Sequence, residues 1–170
     1  MNRKSNEESI RKLISKIRKE IPEAVLRTSL IVGFPGETKE DFKKLYDFVK
    51  ETEFDKLGVF MYSKEDGTPA EKLPNQIHGN TKKARYNKIM SLQQEISRKN
   101  LEKRLGKEYE VLIENTTFDK KYLVGRTKMD VPEMDGVVYI KNTSDKDLIN
   151  EFVKCKIIDI REYDVVAEII

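Results

Sequence analysis

Tryptophan is absent from these 170 residues, and cysteine and histidine occur once each. The single cysteine, Cys155, excludes a disulfide within the chain and any multi-cysteine metal or iron–sulfur site built from this chain alone. It lies in the alternating run FVKCKIIDI, shares a face with Val153 and Ile157, and reads as a small apolar core residue. The single histidine, His78, sits in the polar stretch LPNQIHGN with no second ligand or carboxylate close by, and reads as a solvated loop residue. No apolar run approaches the roughly 18 residues that a membrane span needs. No apolar signal segment opens the chain, so a cytoplasmic protein with no membrane contact is expected.

Charge is abundant, and it is unevenly spread. Residues 1–105 carry 23 Lys/Arg and 16 Asp/Glu, whereas residues 106–170 carry 10 and 14. The first part is therefore at +7 and the second at −4, behind an overall +3. Two parts of opposite sign differ in the partners they attract.

The patterning divides at the same place. Ser5-Asn6-Glu7-Glu8 reads as a capping box with Ser5 as the cap, followed by Ile10, Leu13, Ile14, Ile17 and Ile21 at helical spacing. Pro22 stops that helix. Val25–Gly33 reads as a strand, apolar enough to be buried on both faces of a parallel sheet. Thr38 to Asp41 repeats the cap signal, and Phe42, Leu45, Tyr46 and Val49 give a second apolar helix face. Leu57–Tyr62 is a second strand, and residues 63–80 a loop. A long helix runs from Thr81 to about Leu105, with Ile89, Leu92, Ile96 and Leu105 inward. This alternation predicts an α/β unit with a parallel sheet over 1–105. Two such strands cannot complete that sheet, so residues 1–105 read as a piece of a larger α/β sheet or barrel. Met1 would then be an internal methionine, or the chain a cut piece. After Gly106, five short strands are predicted: Tyr109–Glu114, Tyr122–Thr127, Val137–Lys141, Phe152–Ile160 and Tyr163–Ile170. Polar turns such as Thr117–Lys121 and Ser144–Asp147 separate them. That is the pattern of a small closed OB-type barrel over 106–170.

Three stretches carry candidate chemistry. Gly33-Phe34-Pro35-Gly36-Glu37 follows the first strand directly, where glycine permits positive φ and close approach of a ligand. A helix start near Thr38 aims N–H groups at the same loop. The string lacks the Gly-Lys-Ser/Thr of a phosphate-binding loop, and from the bare pattern a structural turn and a binding loop are both open. Tyr62-Ser63-Lys64-Glu65-Asp66-Gly67 follows the second strand at the same carboxyl edge, where open α/β sheets hold ligands; alone it reads as a surface loop. The helix from Thr81 to Leu105 holds eight Lys/Arg against two Asp/Glu, which reads as a solvated basic face. Finally, Arg126 to Tyr139 runs through a long acidic turn where a shorter connection would suffice.

Taken together, LRTSLIVGFPGETKEDF, FDKLGVFMYSKEDGTPA, ARYNKIMSLQQEISRKNLEKRLGK and GRTKMDVPEMDGVVYI, in this order, resemble the C-terminal part of a radical S-adenosylmethionine methylthiotransferase. The string Arg126-Thr127, Asp130, Pro132-Glu133, Asp135-Gly136 is similar to the RimO branch, which modifies small-subunit ribosomal protein twelve. The sibling branch, acting on adenosine in transfer RNA, does not usually carry that acidic segment.

The resemblance implies an end of a radical-SAM α/β barrel over 1–105 and a TRAM domain over 106–170. It implies an enzyme using S-adenosylmethionine and two [4Fe-4S] clusters to insert sulfur and a methyl group at an aspartate β-carbon. A deoxyadenosyl radical would abstract the β hydrogen, the cofactors carrying the chemistry and the protein positioning them. The cluster cysteines of that family have no counterpart here, so this chain alone is expected to be inactive and to bind S-adenosylmethionine weakly at most. Gly33, Phe34, Pro35, Gly36 and Glu37 would line the S-adenosylmethionine pocket through backbone contacts, with Ile31 nearby and Arg27, Tyr62 and Ser63 as further candidates. Arg126, Asp130, Glu133 and Asp135 would meet the substrate. One departure is at Val165 and Ala167, where the family tends to have Leu and Gly. The negative charge of residues 106–170 favours a basic protein partner over RNA. A free-standing TRAM-type RNA-binding module and the transfer-RNA enzyme are the alternatives.

Overall fold

The computed structural model describes residues 6–142 and 147–170. They form two compact units, divided between Gln93 and Gln94.

The first unit holds helix α1 (Glu7–Glu20), strand β1 (Arg27–Val32), helix α2 (Lys39–Thr52), strand β2 (Lys56–Met61), a 3₁₀ turn at Pro69–Lys72 and the start of helix α3 (Gly79–Glu102). The first helix is capped by Asn6, which exchanges hydrogen bonds with Ser9. That replaces the expected Ser5–Glu8 box, and Ser5 itself lies outside the described residues. The Thr38–Asp41 box forms as its spacing requires: Asp41 N donates to Thr38 Oγ1 at 3.0 Å, and Thr38 N to Asp41 Oδ2 at 3.0 Å. The backbone and hydroxyl of Thr38 together hold the Asp41 carboxyl below its ordinary range.

β1 and β2 pair in parallel, Arg27 opposite Lys56 through Val32 opposite Met61. The expected burial of both faces does not occur. β1 alternates, with Val32 buried while Arg27, Ser29 and Ile31 are exposed. Val59 is buried, whereas Phe60 is 58% exposed beside its partner Ile31 at 41%. A period of two puts Ile31 and Phe60 on one bare face. Val32, Val49, Phe54, Val59, Ile89 and Leu92 are the buried apolar residues of the unit. The stripe on α1 is likewise only half used: Ile14 and Ile17 are partly covered, while Ile10, Leu13 and Ile21 are exposed.

In the second unit, β3 (Glu108–Thr116), β4 (Tyr122–Thr127), β5 (Val138–Lys141), β6 (Phe152–Ile160) and β7 (Val165–Ile169) close a barrel in the order β3-β4-β5-β7-β6. Only β5 and β7 run parallel. Closure leaves no edge strand, and register shifts at Ile113/Asn115 and Ile157/Asp159 supply the bends a small barrel needs. The inward positions are apolar: Val111, Ile113, Leu123, Val138, Ile140, Cys155, Ile157, Val165 and Ala167, with Leu101 from α3. Leu101, and not the expected Leu105, is the inward residue there; Leu105 is exposed. Val165 and Ala167 fill core positions and leave β7 regular. Glycine is required at two close approaches. A Cβ on Gly125 would run into the Leu112 carbonyl, and one on Gly136 into the Tyr163 carbonyl. The expected turn at Ser144–Asp147 falls largely outside the described residues.

Candidate functional site

The Gly33–Glu37 turn leaves the carboxyl end of β1 beside the carboxyl end of β2, since Tyr62 N donates to the Val32 carbonyl at 2.9 Å. Gly33 and Gly36 hold φ of +74° and +84°. Both values lie where a side chain is strained, which is why the turn needs glycine twice. Gly33 also has no room: a Cβ there would overlap Lys82 Cγ.

The turn is tied from inside. The Glu37 carboxylate accepts from Gly33 N at 2.7 Å and from the Arg85 guanidinium at 2.7 Å. Arg85 also donates to the carbonyls of Glu37 and Thr38, each at 3.2 Å. Both partners of this ion pair are nearly buried. Lys82 donates from Nζ to the Tyr62 carbonyl at 2.8 Å and lies 5.0 Å from the centre of the Tyr62 ring. Phe34 meets the same ring edge-on at 5.2 Å. Thus two cations of α3, three residues apart on one helical face, tie both strand ends together. The charge pattern of α3 alone reads as a solvated face. Only their spacing, with i and i+3 facing a glycine turn, could have marked them.

The structure brings Gly33, Phe34, Pro35, Gly36, Glu37 and Tyr62 together, with Ile31 two residues before the turn and Ser63 exposed just after Tyr62. It does not bring Arg27 there. Arg27 opens β1, roughly 17 Å along the strand from Val32 at about 3.3 Å per residue. The turn's N–H groups are also largely spent: Gly33 on Glu37, Gly36 on the Asn75 carbonyl at 2.9 Å, and Glu37 on the Phe34 carbonyl at 3.0 Å. What the turn can offer a small molecule is therefore its carbonyls, its shape and the apolar Ile31 and Phe34. The Tyr62 hydroxyl is buried with no hydrogen-bond partner.

The acidic segment sits between β4 and β5. Asp130 is buried, and its Oδ2 accepts from Thr127 Oγ1 at 2.7 Å and lies 3.8 Å from Arg104. Burial leaves little of Asp130 for the expected substrate contact; the carboxylate closes a turn of its own loop. Arg126 is paired with Glu114 at 2.7 Å. Asp135 accepts from Val131 N at 2.8 Å, and Glu133 is exposed with φ of +61°. Arg104, like Arg85, is a buried cation that the basic-face reading missed.

His78 is an exposed loop residue whose Nδ1 accepts from Asn80 N at 3.2 Å. Cys155 is fully buried in the barrel, and desolvation pushes its thiol up to about 11. Among the described residues there is no group of three or more His, Cys, Asp or Glu placed to hold a metal ion. No helix there is long and apolar enough to cross a membrane.

Comparison with known proteins gives two results. Residues 105–170 match the TRAM domain family. Curated proteins called "Ribosomal protein uS12 methylthiotransferase RimO" match the chain nearly end to end. The protein of Alkaliphilus oremlandii is 60% identical over 99% of the chain and 39% of its own length. Those of Clostridioides difficile and Acetivibrio thermocellus are 48% and 49% identical over 100% of the chain, and 38% and 37% of their own lengths. The chain spans about two-fifths of the length of these relatives.

Proposed function

We propose that these 170 residues, which match proteins called RimO nearly end to end, are the substrate-recognising and partly cofactor-lining C-terminal portion of a methylthiotransferase of that family. Its target is an aspartate of ribosomal protein uS12. Residues 1–105 are the last part of a radical-SAM α/β barrel, and residues 106–170 the TRAM domain. One observation carries this: a glycine turn locked at the carboxyl edge of a parallel pair, in a chain whose whole length matches proteins of that name. The bare sheet face carrying Ile31 and Phe60 supports it, because a barrel strand has helices on one side and the lumen on the other.

The residues fit S-adenosylmethionine in part. Ile31, Gly33, Phe34, Pro35, Gly36, Glu37, Tyr62 and Ser63 border one edge, and the orphaned Tyr62 hydroxyl can bond to a polar ligand edge. Glu37 acts through the turn and not on the ligand, its carboxylate being engaged with Gly33 and Arg85. Arg27 stands at the other end of β1 and is left out of the pocket. When bound with its clusters, S-adenosylmethionine supplies the methyl group and the radical chemistry. The two [4Fe-4S] clusters do not fit this chain: its one cysteine is buried in the barrel. They belong to the rest of the complete enzyme.

The partner is a basic protein, since residues 106–170 are at −4. The cell compartment that holds ribosomal proteins, the cytoplasm, follows from that partner. A second reading, a TRAM-type module on RNA, rests on Tyr122 edge-on to Tyr139 at 6.4 Å with Arg161 4.9 Å over Tyr139, the kind of aromatic–cation surface on which bases stack.

The test is a graft. The matching C-terminal segment of the Alkaliphilus oremlandii relative is replaced by this chain, the product is reconstituted with iron and sulfide, and uS12 is examined by mass spectrometry. Gain of one methylthio group on an aspartate is the expected result. Transfer to transfer-RNA adenosine, or full cluster loading with no product on uS12, overturns the proposal.

A further inference from the structure

The segment between β4 and β5 is built as two successive turns, each closed by a carboxylate. In the first, Thr127 donates from its backbone and its hydroxyl to Asp130 Oδ2, at 3.3 and 2.7 Å, and Asp130 N returns to the Thr127 carbonyl at 3.1 Å. In the second, Val131 N donates to Asp135 Oδ2, while Met134 N and Asp135 N donate to the Val131 carbonyl at 3.4 and 3.3 Å. The far end is pinned where Val137 N donates to Asp164 Oδ1 at 2.8 Å and Gly136 passes against the Tyr163 carbonyl.

Arg104 holds the near end. Its side chain is 11% exposed and that of Asp130 4%. It lies 5.0 Å over the Tyr109 ring, with NH2 3.4 Å from Thr127 Oγ1. Its Nε is buried without a partner, a cost that simple packing would avoid. What this construction leaves outward is short and mixed: Val131, Pro132, Glu133 and Met134 are all exposed, Met134 at 72%.

We propose that this tip is a preformed docking knob for a basic polypeptide, with Val131 and Met134 entering an apolar recess and Glu133 meeting its cationic rim, and that Arg104 is the positioning residue that holds it in shape. This rests on the protein-substrate reading above and narrows it: the substrate contacts are Val131, Glu133 and Met134, while Asp130 is structural. The choice of occupant follows from charge. The unit is acidic, the tip's outward charge is a carboxylate, and it offers no aromatic ring for a base to stack upon. A rigid knob loses less entropy on binding than a loose loop of the same composition.

The test titrates the full chain against recombinant uS12 by calorimetry, with polyuridylate as the RNA control. Val131→Ser/Met134→Ser is expected to weaken uS12 binding tenfold or more with an unchanged melting temperature, since both residues are exposed. Glu133→Lys weakens binding at low salt, and its effect fades as salt rises. Arg104→Met broadens the amide resonances of residues 131–135, leaves those of the barrel core intact and weakens binding; Arg104→Lys, which keeps a cation beside Asp130, restores both. Should Arg104→Met fail to fold, the exposed double variant still decides. Wild-type affinity in that double variant overturns the knob alone. Absence of any uS12 binding by the wild-type chain overturns the knob and the protein-substrate reading together. Polyuridylate binding that falls in the tip variants assigns the knob to RNA and overturns it as proposed.

Discussion

Each strand of the barrel has two neighbours, whereas among the described residues β1 and β2 have only each other. The two units thus solve the same problem, a sheet that must satisfy its backbone and bury a face, by different means. The barrel closes on itself and gathers its apolar side chains inside. The α/β unit buries one sheet face and leaves the other bare, so much of its order comes from polar ties at the strand ends: Arg18 to Asp55 at 2.9 Å, Arg85 to Glu37, and Lys82 to the Tyr62 carbonyl. A unit held this way loses much when one tie is cut, while a closed apolar barrel loses most when its interior is charged or hollowed.

The largest expected effect cuts the Glu37–Arg85 tie. Glu37→Ala leaves a nearly buried guanidinium without its carboxylate and the Gly33 N–H without its acceptor. Removing one partner of a buried pair costs about 3–5 kcal/mol. Hydrogen exchange should show the amides of β1 and β2 losing protection by that amount while those of β3 to β7 keep theirs. Equal loss in both units would erase the contrast between them.

The second effect lies inside the barrel and is set by pH. Burial raises the Cys155 thiol from 9.0 to about 11, so the folded state favours the neutral form. The stability this represents is present below pH 9 and is lost as pH rises from 9 toward 11, because the unfolded thiol ionises first. Two pKa units correspond to about 3 kcal/mol. Denaturant titrations from pH 8 to 11 should show this decline in the wild type and a shallower one in Cys155→Ala, which has no thiol to ionise. The same burial makes the thiol unreactive toward iodoacetamide until the barrel opens.

The barrel was the more legible unit because a period of two, broken by polar turns, is what a closed antiparallel sheet imposes on a sequence. The β4 and β6 bounds, Tyr122–Thr127 and Phe152–Ile160, coincide with those read from the pattern. In the α/β unit the elements were legible but their burial was not. The run Val25–Gly33 is apolar enough for two covered faces, and nothing local says that one of them has no cover within this chain. The site was half legible for the same reason. Glycines at 33 and 36 announce a special backbone, but Lys82 and Arg85 lie more than forty residues downstream in what reads as a solvated helix. Arg104 and Asp130 were read with the wrong sign of burial, since local sequence gives no hint that they meet.

The smallest effect sharpens the contrast most. Phe60 is a large aromatic residue near the carboxyl end of β2 in the parallel β1–β2 pair, and in a complete sheet its loss to Ser would cost several kcal/mol. Here it is 58% exposed, opposite Ile31 on the bare face. Phe60→Ser should therefore change the stability of the isolated chain by no more than about 0.5 kcal/mol, as surface substitutions do. Transplanted into the full-length relative used for the graft, the same substitution should be strongly destabilising, because that face would line the lumen of a completed barrel. Near-neutrality in both settings would mean that the bare face stays bare, and the assignment of residues 1–105 to a larger barrel would fall with it.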